Sequence, residues 1–192
     1  MPSIPYGLNP EILTIINDTT FAPIEIGKVL DVGCGRGALG GLLRAFRDPK
    51  RIVGIDVFQP YIDRCKLTDN YDYILQHDLE LGLPSFPKKF FDNVFCLSVI
   101  EHLEKENALK LIKDMFKVGK RVIVTTETNY HPQINLDNNE HQKHISNITI
   151  RDLRKLGFKV RGINSLKHIP IYSWHIASLL PSLHTNIIGV SE

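Results

Sequence analysis

The stretch Lys28-Val-Leu-Asp-Val-Gly-Cys-Gly-Arg-Gly37 reads as a short apolar strand that runs into a glycine-rich turn. Glycines at 33, 35 and 37 let the backbone bend sharply and let a ligand come close to it. Beyond the turn, Leu39, Leu42, Leu43 and Phe46 recur at i, i+3, i+4 and i+7, the spacing of a helix with one apolar face. Such a helix aims its free N–H groups and the positive end of its dipole back at the turn. By itself the turn does not choose a ligand. Gly33, Gly35 and Ala38 also fit the G-x-G-x-x-A pattern of dinucleotide enzymes, and a tight turn with no ligand can look the same.

Working outward, the strand-then-helix pattern repeats. Arg51 to Asp56 is a second buried strand, and Pro60 opens a helix that ends near Cys65. Strands are expected at 71–76 and 91–98. A helix follows over 105–118, with Ala108, Leu111, Ile112 and Met115 on one face and Gly119 as its stop. A fifth strand spans 121–126. Thr149-x-x-Asp152 reads as a capping box, and Gly157 closes the helix it opens. A sixth strand spans 158–164, a helix containing Trp174 stops at Pro181, and a last strand covers 186–190. At the other end, Asn9-Pro10-Glu11 starts a helix within a leader over residues 1–26. Strands that alternate with helices predict a parallel sheet covered on both faces.

The 192 residues suit a single domain over 1–192. With 43% hydrophobic and 23% charged residues, the composition excludes a disordered chain. A net charge of +2 neither demands nor excludes a nucleic-acid partner. Cys34, Cys65 and Cys96 show no C-x-x-C spacing and no zinc framework, which points to a reducing, cytoplasmic setting. Packing is the expected role of all three. The N-terminus has no signal-peptide pattern, and no apolar run approaches the roughly 20 residues of a membrane span.

In a sheet of this kind the ligand lies beyond the carboxyl ends of the strands, near the point where strand order reverses. Asp56 ends the second strand, 19 residues after Gly37. Its carboxylate can accept hydrogen bonds from both hydroxyls of a ribose. Asp78 follows the third strand and can accept an adenine amino proton, with the Leu79 backbone facing the ring. Each of these is also an ordinary strand-end or turn residue when taken singly.

Taken together, the segments resemble the class I S-adenosylmethionine-dependent methyltransferases. Val29 to Gly37 is similar to their first motif, Gly54-Ile-Asp56 to the second, and His77-Asp78-Leu79 to the third. Phe91-Asp-Asn-Val through Val99-Ile-Glu-His-Leu103 is similar to the fourth. The likeness covers residues 26–126 well and the rest loosely. It implies an α/β fold: a Rossmann-like, doubly wound, seven-stranded, mostly parallel sheet whose last strand is antiparallel. It also implies S-adenosyl-L-methionine as cofactor and methyl transfer to an acceptor that the sequence does not identify: a small molecule, lipid precursor, protein or RNA. By position, Asp31 with the backbone of Gly33, Gly35 and Gly37 holds the methionine part of the cofactor. Asp56 and its neighbour Val57 hold the ribose, Asp78 and Leu79 the adenine, and Ser98 lies near the methyl group. Asp31 separates two ligands, because an acidic group there can meet an ammonium that NAD(P) lacks.

Methyl transfer from a sulfonium is an in-line displacement in which positioning supplies much of the rate. A base is needed only when the nucleophile must lose a proton. Glu101 and His102 follow strand four and His131 follows strand five, so these three are the catalytic candidates. Segments 127–148 and 165–185 are expected on the substrate side. The first holds His141 and His144 at i, i+3, expected as part of a solvated loop, and no metal is assigned. A fainter resemblance links Ser98-x-x-Glu101-His102 to the small-RNA 3′-end 2′-O-methyltransferases. Those pair Glu-x-x-Glu-His with a later histidine and bind magnesium beside the terminal ribose; here the first Glu is missing. Two further alternatives are an NAD(P)-dependent oxidoreductase using the same loop and a non-catalytic, cofactor-binding partner subunit.

Overall fold

The computed structural model describes residues 25–128, 138–166 and 184–191, the side chains of 163–166 and 184–186 excepted. The expected leader helix, the Trp174 helix and His131 lie outside these residues.

Seven strands form one sheet in the order β3-β2-β1-β4-β5-β7-β6. They are β1 (Lys28–Val32), β2 (Arg51–Asp56), β3 (Tyr73–Gln76), β4 (Phe91–Leu97), β5 (Gly119–Glu127), β6 (Lys159–Leu166) and β7 (His184–Val190). The pairs among β3, β2, β1, β4 and β5 are parallel. β7 is antiparallel to both β5 and β6. The doubly wound α/β sheet with an antiparallel last strand is therefore the one the sequence predicts. The helices among the described residues are α1 (Ala38–Phe46), α2 (Gln59–Thr68), α3 (Lys105–Val118) and α4 (Ile150–Lys155). None of them is long and apolar enough to cross a membrane.

Alternation along the strands builds a core on each face of the sheet. Leu30, Val32, Val53, Val94, Cys96, Val122 and Val124 join Leu111, Ile112 and Met115 of α3 on one face. Val29, Ile52, Phe95 and Ile123 join Leu39 and Leu43 of α1 and Cys65 of α2 on the other. Side chains on a strand alternate between faces, so Asp31 shares the second face with Val29.

Several local expectations need correction. Phe46, placed on the buried face of α1 by its period, is 59% exposed at the helix end. Cys65 lies inside α2 rather than at its end. β3 begins at Tyr73, because Tyr71 turns inward and the Asp72 carboxylate accepts the Ile52 N–H at 2.6 Å. Gly119 stops α3 as expected, in extended form (φ −103°), and is also the first residue of β5. The capping box holds: Thr149 Oγ1 accepts the Asp152 N–H, and the Asp152 carboxylate accepts the Thr149 N–H. Gly157, at φ +93°, closes that helix as expected.

Candidate active site

Strand order reverses between β1 and β4, and the turns after these two strands meet there. A Cβ on Gly33 would overlap the Val99 side chain, so the two turns close on each other only because residue 33 has none. The loop is tied to β2 as well. The N–H groups of Gly33 and Cys34 both donate to the Ile55 carbonyl, at 2.8 and 2.9 Å. Cys65 Sγ donates to the Gly35 carbonyl at 3.2 Å.

The three loop glycines have different surroundings. A Cβ on Gly37 would press on Cys65 and Tyr71, whereas Gly35 (φ +53°) has nothing within 4 Å of its missing Cβ. Gly35 is thus where an incoming ligand can lie against the backbone. Its N–H donates to Asp56 Oδ2 at 2.8 Å, and the Phe58 N–H donates to Asp56 Oδ1 at 2.9 Å. A carboxylate offers about four lone-pair sites, so Asp56 anchors the loop and keeps acceptor capacity. Burial raises its carboxyl, while the N–H groups of Phe58, Gly35 and Val57 and the charge of His141 pull it down. The neighbouring Val57 carbonyl accepts Gln76 Nε2 at 3.2 Å, which ties it to the end of β3.

Asp31 is buried at the base of this loop, and the Tyr71 hydroxyl donates to its Oδ2 at 2.6 Å. Burial pushes its carboxyl up to about 7; the Tyr71 hydrogen bond works against that rise and the charge of Asp56 adds to it. An ammonium group beside Asp31 would favour the ionised form.

Asp78 caps a single helical turn over Leu79–Leu81, its Oδ1 accepting the Glu80 N–H at 3.0 Å. The Leu79 side chain is buried in the core on the α3 face, which leaves only its backbone for a ligand. Ser98 follows β4 directly, with φ +54°, and is held there by Thr125, whose carbonyl and Oγ1 accept its N–H at 3.2 and 3.1 Å.

Beyond Ser98 lies a cluster that the sequence only half disclosed. Ligand atoms of Glu101, His102 and His144 all lie within 4.8 Å of one another. His144 is buried, so the solvated loop expected for it is incorrect; His141 of the same pair is exposed. Burial follows from the backbone, because the N–H groups of Ile145 and Ser146 both donate to the Glu101 carbonyl, at 3.0 and 3.2 Å. The Thr126 hydroxyl donates to Glu101 Oε2 at 3.1 Å. His102 Nδ1 lies 3.0 Å from the Lys143 carbonyl, and His144 Nδ1 lies 3.7 Å from Glu127 Oε2. Burial drives the His102 imidazole down to about 4, so it is neutral near pH 7. The sequence reading missed Tyr71, Thr126 and Glu127. Only Tyr71 carried a signal, since a tyrosine buried in a core usually needs a partner for its hydroxyl.

Comparison with known proteins bears on the family and the fold. Residues 30–124 match the family described as "Methyltransferase domain". Over 143 residues the chain is 29% identical to an uncharacterized protein of Methanocaldococcus jannaschii, covering 74% of this chain and 59% of that one. Over 130 residues it is 28% identical to the human mitochondrial ubiquinone biosynthesis O-methyltransferase, covering 64% of this chain and 35% of that one. The chain therefore spans less than two thirds of either relative. Among solved structures, a SAM-dependent methyltransferase from Archaeoglobus fulgidus superposes with a TM-score of 0.64 at 17% identity, covering 96% of this chain and 94% of that one.

Proposed function

We propose, from the match of residues 30–124 to the methyltransferase-domain family, that the chain transfers a methyl group from S-adenosylmethionine to an acceptor seated beyond β4 and β5. The observation that carries this reading is the placement of Gly35, open to a ligand and fastened to the Asp56 carboxylate. When bound, the sulfonium supplies an electrophilic methyl group. Asp31 would pair with the ammonium of the methionine part and Asp56 would accept from the ribose hydroxyls. Asp78 and the Leu79 backbone would border the adenine, and Ser98 the methyl group. The free thiols of Cys34, Cys65 and Cys96 support a reducing, cytoplasmic setting. Calorimetry of the purified chain with S-adenosylhomocysteine and with NAD tests the proposal. Binding of S-adenosylhomocysteine alone is the expected result, and binding of NAD alone refutes it.

The Glu101–His102–His144 cluster favours a second reading, in which a divalent cation assists transfer to a hydroxyl such as the ribose 2′-hydroxyl at an RNA 3′ end. An imidazole titrating at about 4 is a weak general base at neutral pH but a ready ligand. Metal-bound histidines usually give their other ring N–H to a carbonyl or carboxylate, the relation that His102 has to the Lys143 carbonyl. Glu101, His102 and His144 would hold the cation, which would ease loss of the acceptor's proton. Titration with Mn2+ followed by electron paramagnetic resonance separates the two readings. One bound ion in the wild type, lost in His144→Ala, supports the cation, and no binding leaves methyl transfer without it.

A further inference from the structure

Asp31 is held by a residue that belongs to none of the four strand ends. Tyr71 precedes β3, and its side chain reaches across to β1. Its hydroxyl donates to Asp31 Oδ2 at 2.6 Å and accepts the Gly40 N–H at 3.1 Å. Gly40 lies in the first turn of α1, where backbone N–H groups have no partner within the helix. The α1 N-cap, Gly37, has no side chain to supply one. The hydroxyl is thus fixed by a donor and an acceptor at once.

The ring is fixed as well. A Cβ on Gly40 would come within 2.5 Å of Tyr71 Cε2 and Cζ, and one on Gly54 within 3.0 Å of Cδ1. One on Gly37 would come within 3.2 Å of Cε2. Three glycines, from the loop, from α1 and from β2, leave the space that one tyrosine ring fills. Two of them, Gly37 and Gly54, lie in segments read from the sequence as cofactor contacts. Their missing side chains make room for Tyr71.

We propose that Tyr71 is a positioning residue for the cofactor: it clamps one oxygen of Asp31 so that the carboxylate is aimed at the α-ammonium group of the methionine part. This rests on the reading that the glycine loop holds S-adenosylmethionine. A tyrosine hydroxyl stays protonated near neutral pH, and burial and the adjacent Asp31 strengthen that tendency. It remains a donor to Asp31 whether or not a ligand is bound. The charged and titratable groups coupled to Asp31 are Tyr71, Asp56 of β2, Cys34 of the loop and, across the sheet, Cys96 of β4. Among them only Tyr71 donates a hydrogen bond that favours the ionised carboxylate.

The test uses two ligands and Tyr71→Phe, which keeps the ring in its glycine cradle. S-adenosylhomocysteine carries the ammonium, whereas 5′-methylthioadenosine keeps the adenine and ribose and lacks the amino-acid part. Calorimetry on the full chain should show S-adenosylhomocysteine weakened about tenfold or more, the scale of a hydrogen bond to a charged group. 5′-Methylthioadenosine should stay within about twofold, since nothing it touches has changed. The pH at which S-adenosylhomocysteine binding strengthens should also rise in the variant, because its Asp31 has lost a hydrogen bond that favours ionisation. The double variant with Asp31→Asn should bind no more weakly than Asp31→Asn alone, a comparison that holds even if Tyr71→Phe by itself folds poorly. Equal loss of both ligands, or an unchanged affinity and pH profile for S-adenosylhomocysteine, overturns the proposal. A wild-type chain that binds neither ligand overturns the methyltransferase reading itself.

Discussion

Replacing Asp56 with asparagine changes the size of the side chain very little and its hydrogen bonding a great deal. In the wild type Oδ1 takes the Phe58 N–H at 2.9 Å and Oδ2 takes the Gly35 N–H at 2.8 Å. Asparagine has one acceptor oxygen and one NH2 group. Whichever way the amide is turned, the NH2 faces one of these two backbone donors. One hydrogen bond to a charged acceptor is lost and a donor–donor contact takes its place. A bond of that kind contributes about 1.5–3 kcal/mol. Asp56 is half-buried and water can reach its surroundings, so about 2 kcal/mol is a fair net figure. For a domain of this size that corresponds to a fall in Tm of about 4–8 °C. The same substitution loosens the Gly35 turn and removes an acceptor from the position proposed for the ribose. S-adenosylhomocysteine affinity should therefore fall by about 5- to 150-fold, equivalent to about 1–3 kcal/mol. Asp56→Ala removes both acceptors but leaves room for water and adds no donor. Asparagine should accordingly be no better tolerated than alanine. Thermal unfolding and calorimetry on the three proteins decide the matter. An asparagine variant with wild-type Tm and wild-type affinity would refute the idea that one carboxylate both anchors the loop and meets the ligand.

Two other expectations follow from the same site. Gly35→Ala should fold with a modest loss, about 1–2 kcal/mol for a left-handed alanine, yet lose S-adenosylhomocysteine binding because its Cβ enters the open approach. Gly33→Ala should instead fail mainly in folding, since its Cβ overlaps Val99; thermal unfolding that ranks the two in the opposite order would count against this assignment. The second expectation concerns pH. Asp31 titrates at about 7 in the folded chain against 3.8 as its ordinary value, so the native state keeps a proton that the unfolded chain gives up between those values. Its contribution to stability is full below pH 3.8 and is lost as pH rises to about 7. Asp31→Asn should flatten the decline of Tm with pH over that window in the ligand-free protein, and parallel curves for the two proteins would contradict the raised carboxyl.

The parts of this molecule that rest on local chemistry were legible in the sequence. β1 and β2 end where the apolar runs end, and Asp56 falls at its strand end because a parallel strand buried on both faces leaves little room for a charge before its last residue. The Thr149 capping box and the Gly157 stop each need only a few neighbouring residues. Tyr71 was misplaced for a physical reason. Just ahead of the run Tyr73-Ile74-Leu75 a tyrosine reads as the start of a strand, and only the fold shows that its hydroxyl has an acceptor 40 residues away in Asp31. His144 was misplaced for a related one. Its segment is polar and has no period, and its burial comes from two backbone bonds to the Glu101 carbonyl. A contact of that kind leaves no local pattern to find.

The position of β7 has a consequence for how the chain is made. β7 is last of the seven strands in sequence, but it sits inside the sheet, between β5 and β6. During synthesis β5 therefore emerges with one edge bare, and β6 has no place in the sheet until β7 arrives. The buried run Val122 to Thr126 on that bare edge is a template for pairing with another chain. The nascent protein carries this hazard through the making of some 60 further residues, between Glu127 and Val190. Arrival of β7, and not completion of the glycine loop, is then the event that covers the β5 edge. A chain cut after Leu166 would keep Asp31, Gly35, Asp56 and Asp78 and still be expected to aggregate.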